Sequence, residues 1–79
     1  MKTTESPVRA ARMRLGMSRA AFGAALERSY GAVAAVESGY SPALPPTWEP
    51  GLTKLGISYD ELAAAYGAWR GASASSIAG

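Results

Sequence analysis

The side chains of this sequence that offer chemistry are arginines and hydroxyl-bearing residues. The chain contains no histidine and no cysteine, so it lacks the commonest general base and metal ligand and all thiolate chemistry. No carboxylate pair has a plausible cleft, and no glycine-rich loop follows a strand pattern. We therefore expect no enzyme, no catalytic residue, no metal, no cofactor and no small-molecule ligand. Arg28 directly precedes the hydroxyl-bearing Ser29 and Tyr30, and Arg19 and Ser38 lie further away on either side. Arginine and hydroxyl side chains are groups that contact phosphate.

The stretch from residue 18 to residue 39 must position these side chains. Ser18 and Ser29 are good N-caps, and each precedes a short apolar pattern, which predicts two short helices with a tight break between them. Gly23 leaves room for close packing of the two helices, and Gly39 ends the second helix. The inward positions of the two helices are Phe22, Leu26, Val33 and Val36. This arrangement is a helix-turn-helix.

With these residues identified, the chain resembles the Cro and phage-repressor type of helix-turn-helix domain, also called the xenobiotic-response-element family. The resemblance covers roughly residues 8 to 66 and consists of a long string of matching positions. The matching residues are Arg12, Gly16, Met17, Ser18, Phe22, Gly23, Leu26, Ser29, Val33, Val36, Glu37 and Gly39, then Leu55-Gly56-Ile57-Ser58 and Asp60-Glu61-Leu62. Two positions depart from the pattern: Glu27 stands where the family usually has glycine, and Arg28 where it usually has an apolar residue. A non-glycine residue in a left-handed turn costs about 1–2 kcal/mol, which leaves the geometry of this turn open.

The resemblance implies that the helix over residues 29–38 lies in the major groove of double-stranded DNA, with its first residues at base edges. It places at Arg19, at the start of the preceding helix, a residue that reaches a phosphate or base. Arg28 lies in the turn immediately before the recognition helix, and both arginines are candidates for contact with the DNA backbone. Arg9, Arg14, Lys2 and Lys54 are further cations for a positive rim. The residues predicted to lie at the DNA are Arg19, Arg28, Ser29, Tyr30, Gly31, Ala32, Ala34, Ala35 and Ser38.

The predicted outward face of the helix over residues 29–38 carries only small residues and three hydroxyls. It has no Arg, Asn or Gln, the side chains that bond bidentately to guanine or adenine. Two interpretations stay open here. Small residues let a helix sit deep in the groove, and alanine can touch a thymine methyl group; alternatively, the alanines serve only helix formation.

Arg12 and Glu37 call for a structural interpretation. Each lies at the edge of an apolar stripe, on two different predicted helices. The resembled family pairs these two positions in a salt bridge between the first and third helices, so we expect a structural ion pair. A base-stacking role for Trp48 and Trp69 is less favoured than a place in the core or an interface.

The remaining signals complete an all-α, compact bundle of about five short helices. Residues 1–6 are predicted to be a flexible N-terminus, residues 7–70 a phage-repressor-like domain with the helix-turn-helix at 18–39, and residues 71–79 a flexible tail. The first helix follows Ser6-Pro7 and runs to about Leu15. The fourth is capped by Thr47, and the fifth by Ser58. The predicted core is Val8, Leu15, Phe22, Leu26, Val33, Val36, Leu52, Leu55, Ile57 and Leu62.

Tyr66 and Trp69 continue the apolar stripe of the last helix beyond this core. They predict a homodimer contact, because an exposed large aromatic side chain favours a partner. The structural alternative is that Trp69 packs within its own chain, on Trp48 or Tyr59.

Together these features predict a cytoplasmic, sequence-specific DNA-binding regulator, a small repressor of Cro-like, immunity or antitoxin type. It would bind a palindromic operator as a homodimer. The formal net charge of +2 is compatible with a polyanion but does not demand one. The first residues carry no apolar run, so no membrane segment is expected. The alternative is a helical protein-interaction module that keeps the fold without reading bases.

Overall fold

Five α-helices and one short 3-10 helix make up the described part of the chain. A computed structural model describes residues 5–78, with side chains as far as Gly71, and contains no strand in that range. The helices are α1 (Pro7–Arg14), α2 (Arg19–Leu26), α3 (Tyr30–Glu37), the 3-10 helix (Pro46–Trp48), α4 (Glu49–Lys54) and α5 (Tyr59–Ala78). The predicted all-α bundle of about five helices is confirmed.

Serine hydroxyls begin four of the five α-helices, as the sequence predicts. The Oγ atoms of Ser6, Ser18, Ser29 and Ser58 accept hydrogen bonds from backbone amides two or three residues ahead, at 3.1 to 3.3 Å. These bonds satisfy amides that the first turn of a helix leaves without a carbonyl partner. After α3 the chain turns at Gly39, which has a φ of 85°.

Two predicted helix boundaries differ from the structure. Thr47 does not cap α4, because it lies inside the 3-10 helix; the residue before α4 is Trp48, which provides no side-chain cap. The fifth helix continues to Ala78 instead of ending near residue 70, since the alanines and serines after Gly71 are compatible with helix. Side chains beyond Gly71 and residues 1–4 lie outside the described part, and the flexibility expected of residues 1–6 and 71–79 stays a prediction.

The core extends further than the sequence indicates. Its buried apolar residues are Val8, Ala11, Phe22, Leu26, Val33, Val36, Leu44, Trp48, Leu52, Leu62 and Tyr66. Leu15, predicted in the core, is 40% exposed, because α1 ends at Arg14 and the chain turns away at this position. Leu55 and Ile57 are only partly buried against the core. Trp48 is fully buried and packs edge-on against Phe22, with ring centroids 6.2 Å apart.

The junction between α2 and α3 combines one close backbone approach with one strained residue. A Cβ atom on Gly23 would lie 2.8 Å from the carbonyl oxygen of Arg28, so the predicted close approach at this glycine is present. Glu27 adopts the left-handed conformation itself, with φ 58° and ψ 44°. The turn thus has the left-handed backbone conformation that glycine would favour. For Glu27, which has a side chain, this conformation costs about 1–2 kcal/mol.

Side chains of α5 hold the connector between α3 and α4. The hydroxyl of Tyr59 donates to the carbonyl of Leu44, and that of Tyr66 donates to the carbonyl of Ser41, each at 2.7 Å. Arg70 Nε donates to the carbonyl of Gly39 at 2.9 Å. These bonds give three connector carbonyls partners, so the backbone of this segment is anchored to α5 although many of its side chains are exposed.

Replacing Gly23 by alanine should destabilise the domain by about 1–3 kcal/mol, because the added methyl group displaces backbone at the α2–α3 junction. The matched control is Gly67→Ala in α5, where a Cβ meets nothing within 4 Å. That change should stabilise the protein by about 0.5–1 kcal/mol through helix propensity. Urea denaturation of both variants measures the difference. Equal free energies of unfolding for the two variants would contradict the close approach at Gly23.

Candidate functional site

The buried carboxylate of Glu37 is the centre of a hydrogen-bond network at the end of α3. Arg12 donates from Nε to Oε2 at 2.6 Å and from its NH2 group to Oε1 at 3.3 Å. Arg19 donates from Nε to Oε1 at 3.0 Å. Glu37 is only 5% exposed, and a buried charge of this kind is tolerated only when it is paired and hydrogen-bonded.

Arg12 also ties α1 to the segment that precedes α2. Its NH1 group donates to the carbonyl of Met17 at 2.9 Å, and Arg12 itself is buried. The predicted ion pair between Arg12 and Glu37 is therefore present. It links the first helix, the start of the second and the end of the third through one guanidinium group.

Arg19 has partners inside the domain. The structure pairs it with Glu37 and brings its NH1 group to 3.3 Å from the hydroxyl of Tyr30, and its contact to DNA stays a prediction. The guanidinium carbon also lies 5.9 Å from the centroid of the Tyr30 ring. The sequence indicates only that Arg19 needs an acidic partner, and it does not identify Glu37 as that partner. A cation in the first turn of a helix is unfavourable beside the positive end of the helix dipole, and α2 has no acidic residue in that turn to offset it.

The network shifts the pKa values of its charged members. Burial by itself raises the pKa of Glu37, but the hydrogen bonds donated by Arg12 and Arg19 outweigh burial and hold this pKa below its ordinary value of 4.5. The hydrogen bond with Tyr30, and then that with Glu37, raises the pKa of Arg19. Glu37 and Arg19 therefore stay charged at neutral pH.

The predicted DNA-facing residues lie along α3 and beside it, and they are not equally accessible. Tyr30 is 57% exposed. Ser29 is the N-cap of α3, and Ser38 donates its hydroxyl to the carbonyl of Ala35 at 3.0 Å. The exposed members of the predicted set are Arg28, Ser29, Tyr30, Gly31 and Ser38, and the half-buried members are Arg19, Ala32, Ala34 and Ala35.

Arg28 lies at a small concavity beside the start of α3. This space of about 120 Å³ is bordered by the turn before α3 and by α4, with Lys54 and Thr47 on its walls. The guanidinium of Arg28 donates to the carbonyl of Glu27 at 3.1 Å. Within the described residues, neither Arg28 nor Lys54 has a carboxylate within salt-bridge distance, so both cations are available to an external anion.

The cations of α1 lie elsewhere. Arg9 pairs with Glu5 at 2.9 Å across one helical turn. Arg14 borders a groove between α1 and α5, together with Ser58 and Glu61. Neither arginine lies at the concavity beside α3, so the positive rim suggested by the sequence is reduced to Arg28 and Lys54 among the described residues.

The aromatic residues assigned to a dimer contact have partners inside the chain. Tyr66 is fully buried, so the prediction that it is exposed and contacts a second copy is wrong. The connector after α3 covers it. Burial raises the pKa of the Tyr66 hydroxyl, and nearby Arg70 lowers it less strongly. Trp69 is half-buried. Its ring centroid lies 5.7 Å from that of Tyr66, and its ring packs on Gly39. Dimerisation through Trp69 stays a prediction.

No group of three or more metal-ligating side chains is placed to hold an ion within residues 5–78. In the same range, no helix combines the length and the hydropathy that a membrane span needs.

Comparisons of the chain with protein-family models, with curated proteins and with solved structures find no significant match. The resemblance to phage repressors therefore rests on the motif residues themselves.

Acid should remove the contribution of Glu37 to stability. Because the folded pKa of Glu37 is below its unfolded value, its contribution is complete above about pH 5 and is lost as the pH falls through the folded pKa. The Glu37→Gln variant keeps the volume but carries no charge. We expect the difference in free energy of unfolding between wild type and Glu37→Gln to be largest at pH 6–7 and to shrink below pH 4. Thermal denaturation across this range measures it, and a difference independent of pH would contradict the ionised pair.

The two arginines should couple to Glu37 to different degrees. Breaking the buried pair with Arg12→Met should cost up to about 3–5 kcal/mol, because the buried carboxylate keeps only the partly exposed Arg19 as an ionic partner. The control is Arg19→Met at the partly exposed partner, which should cost clearly less. Double-mutant cycles of each variant with Glu37→Gln, followed by urea denaturation, give the two coupling energies. A larger coupling for Arg19 would show that Arg12 is not the principal partner.

Proposed function

We propose that this protein is a small transcriptional regulator of the helix-turn-helix class that binds double-stranded DNA. In this proposal α3 enters the major groove and α2 lies across it, next to the DNA backbone. The observation that carries the proposal is the rigid joining of α2 and α3, with three donor side chains, Arg19, Arg28 and Tyr30, gathered at the exposed start of α3. The motif residues shared with phage repressors support the same function.

The electrostatics of the surface are consistent with this function. The cations Arg28 and Lys54 border one concavity beside α3 and have no carboxylate partner among the described residues. The first turn of α3 contains no acidic residue, so the positive end of this helix is not neutralised within the helix itself, although Glu27 also borders the concavity. These features favour a phosphate backbone over a neutral or basic partner.

The regulatory form of the proposal is a small repressor on a palindromic operator, bound as a homodimer in the cytoplasm. A two-fold dimer would set two copies of α3 about 34 Å apart, the spacing of successive major grooves on one side of the duplex. With Tyr66 buried, Trp69 is the residue through which this proposal is tested. Sedimentation of wild type and Trp69→Ala at tens of micromolar compares the two masses.

The alternative is a protein-interaction module that does not read DNA bases. It is favoured by one observation: apart from Tyr30, the accessible surface of α3 carries only small side chains, and Arg19 is already paired with Glu37. A mobility-shift titration with random and genomic DNA at two salt concentrations separates the two functions. A folded protein that binds no DNA at low salt supports the module.

Binding to DNA should depend steeply on salt. About four to six phosphate contacts per monomer give a slope of log K against log salt of roughly −4 to −5. Arg28→Ala should weaken binding to all sequences alike and reduce this slope by about 1, as the loss of one phosphate contact does.

The matched control for Arg28→Ala is Arg14→Ala, which removes the same charge from the groove between α1 and α5. It should change the affinity and the salt slope less than Arg28→Ala does. Equal effects of the two substitutions would remove the concavity beside α3 from the interface.

A further inference from the structure

The concavity beside α3 is bordered by charges of both signs that do not meet. Glu27 and Arg28 border it from the turn between α2 and α3, and Lys54 borders it from the end of α4. Within the described residues, none of these three side chains has an oppositely charged group within salt-bridge distance. Opposite charges that share one small space without pairing can hold a ligand that carries both signs.

Glu27 occupies a backbone conformation that disfavours it. Its φ of 58° and ψ of 44° lie in the left-handed region, where glycine is free of the steric cost that a side chain brings. The family that the chain resembles usually has glycine here and an apolar residue at Arg28. Both departures from that pattern border the concavity. A carboxylate kept where the backbone disfavours it indicates a role beyond the fold.

The backbone contact between α2 and α4 keeps the concavity open. Gly51 of α4 also borders it. A Cβ atom on Gly51 would lie 2.7 Å from Cδ2 of Leu26 and 2.9 Å from its Cα. The two helices therefore cannot approach more closely at this point, and backbone packing sets the separation of Lys54 from the turn before α3.

The volume and the lining of the concavity limit what it can hold. Its volume is about 120 Å³, which corresponds to roughly four water molecules at ~30 Å³ each. Only a molecule of a few heavy atoms fits into this space. Besides the three charges, the lining offers the hydroxyl of Thr47, which can donate or accept a hydrogen bond, and the apolar side chains of Ala25 and Pro50.

We propose that this concavity binds a small α-amino acid, with its carboxylate between Arg28 and Lys54 and its ammonium group at Glu27. A simple anion would satisfy the two cations, but Glu27 would repel it. An amino acid pairs with all three charges and carries no net charge itself. The proposal does not rest on DNA binding. Arg28 is also the cation proposed to contact the DNA backbone, so the amino acid and DNA would compete for one side chain.

Titration of the ¹⁵N-labelled protein with free glycine, followed by amide NMR signals, tests this proposal. Acetate and methylammonium are the matched ligands, because each carries one of the two charges of glycine. Sodium chloride keeps the ionic strength equal in all three titrations. Free glycine should give saturable shifts at the amides of Glu27, Arg28 and Lys54, at lower concentration than acetate does. Methylammonium should bind most weakly, because the two cations repel it.

Two substitutions assign the two ends of the ligand. Glu27→Gln keeps the size of the side chain and removes its charge. It should weaken binding of free glycine about two- to fivefold, the range of one exposed ion pair, while acetate binds more tightly. Arg28→Gln should weaken both ligands by a similar factor. The control Arg14→Gln removes the same charge from the groove between α1 and α5 and should leave both affinities unchanged.

Glu27→Gly separates a role in ligand binding from a role in the fold. Glycine relieves the left-handed backbone at this position, so the thermal midpoint should rise. The affinity for free glycine should nevertheless fall, as it does in Glu27→Gln. Unchanged affinity in both variants would show that the carboxylate does not contact the ligand, and would overturn the proposal.

Two results with the wild type also overturn it. Equal affinities for free glycine and acetate would make the concavity a plain anion site. Absence of saturable shifts would remove it as a ligand site. Because these titrations contain no DNA, either result leaves the proposed DNA binding standing, and failure of the protein to bind DNA leaves the amino-acid site standing.

Discussion

The ionised carboxylate of Glu37, buried at the end of α3, is the constraint on which the arrangement of the first three helices depends. Removing a carboxylate from water costs several kcal/mol unless partners replace the lost hydration. Arg12 from α1 and Arg19 from α2 both supply hydrogen bonds to it. The ion pair need not add to net stability compared with an apolar core. Its physical consequence is geometric, because any displacement of α1 or α2 relative to α3 exposes an unpaired charge to the protein interior.

A second set of contacts holds the chain after α3. Tyr59, Tyr66 and Arg70 of α5 donate to carbonyls of the connector, and Trp69 packs on Gly39. The end of α3 is thus fixed from one side by α1 and α2 and from the other by α5. This explains how a domain with many alanines keeps a short helix of eight residues in a defined place. The helix would be marginal in isolation, since short helices depend on tertiary packing.

The arginines around α3 are not all unpaired surface cations. Arg19 belongs to the structural network and to the exposed surface at once, because one edge of its guanidinium contacts Glu37 and another contacts Tyr30. Substitutions at Arg19 therefore act on stability and on the surface of α3 together. Arg28, by contrast, contacts only a neighbouring backbone carbonyl in the described structure. Its side chain has no comparable structural role among the described residues.

The sequence by itself determined the local features: the serine caps, the glycine ends, the small contact at Gly23 and the apolar faces of α1 to α3. These depend on neighbouring residues and on helical periodicity, which a sequence displays directly. The pairing of Arg12 with Glu37 was also predictable, through the resemblance to phage repressors. Only the tertiary structure decided that Leu44 and Tyr66 are buried, that Leu15 is not, and that Arg19 pairs with Glu37. Those outcomes depend on how a proline-rich connector packs across α5 and on which side chains meet between helices distant in sequence, and neither is encoded in the spacing of residues along one element.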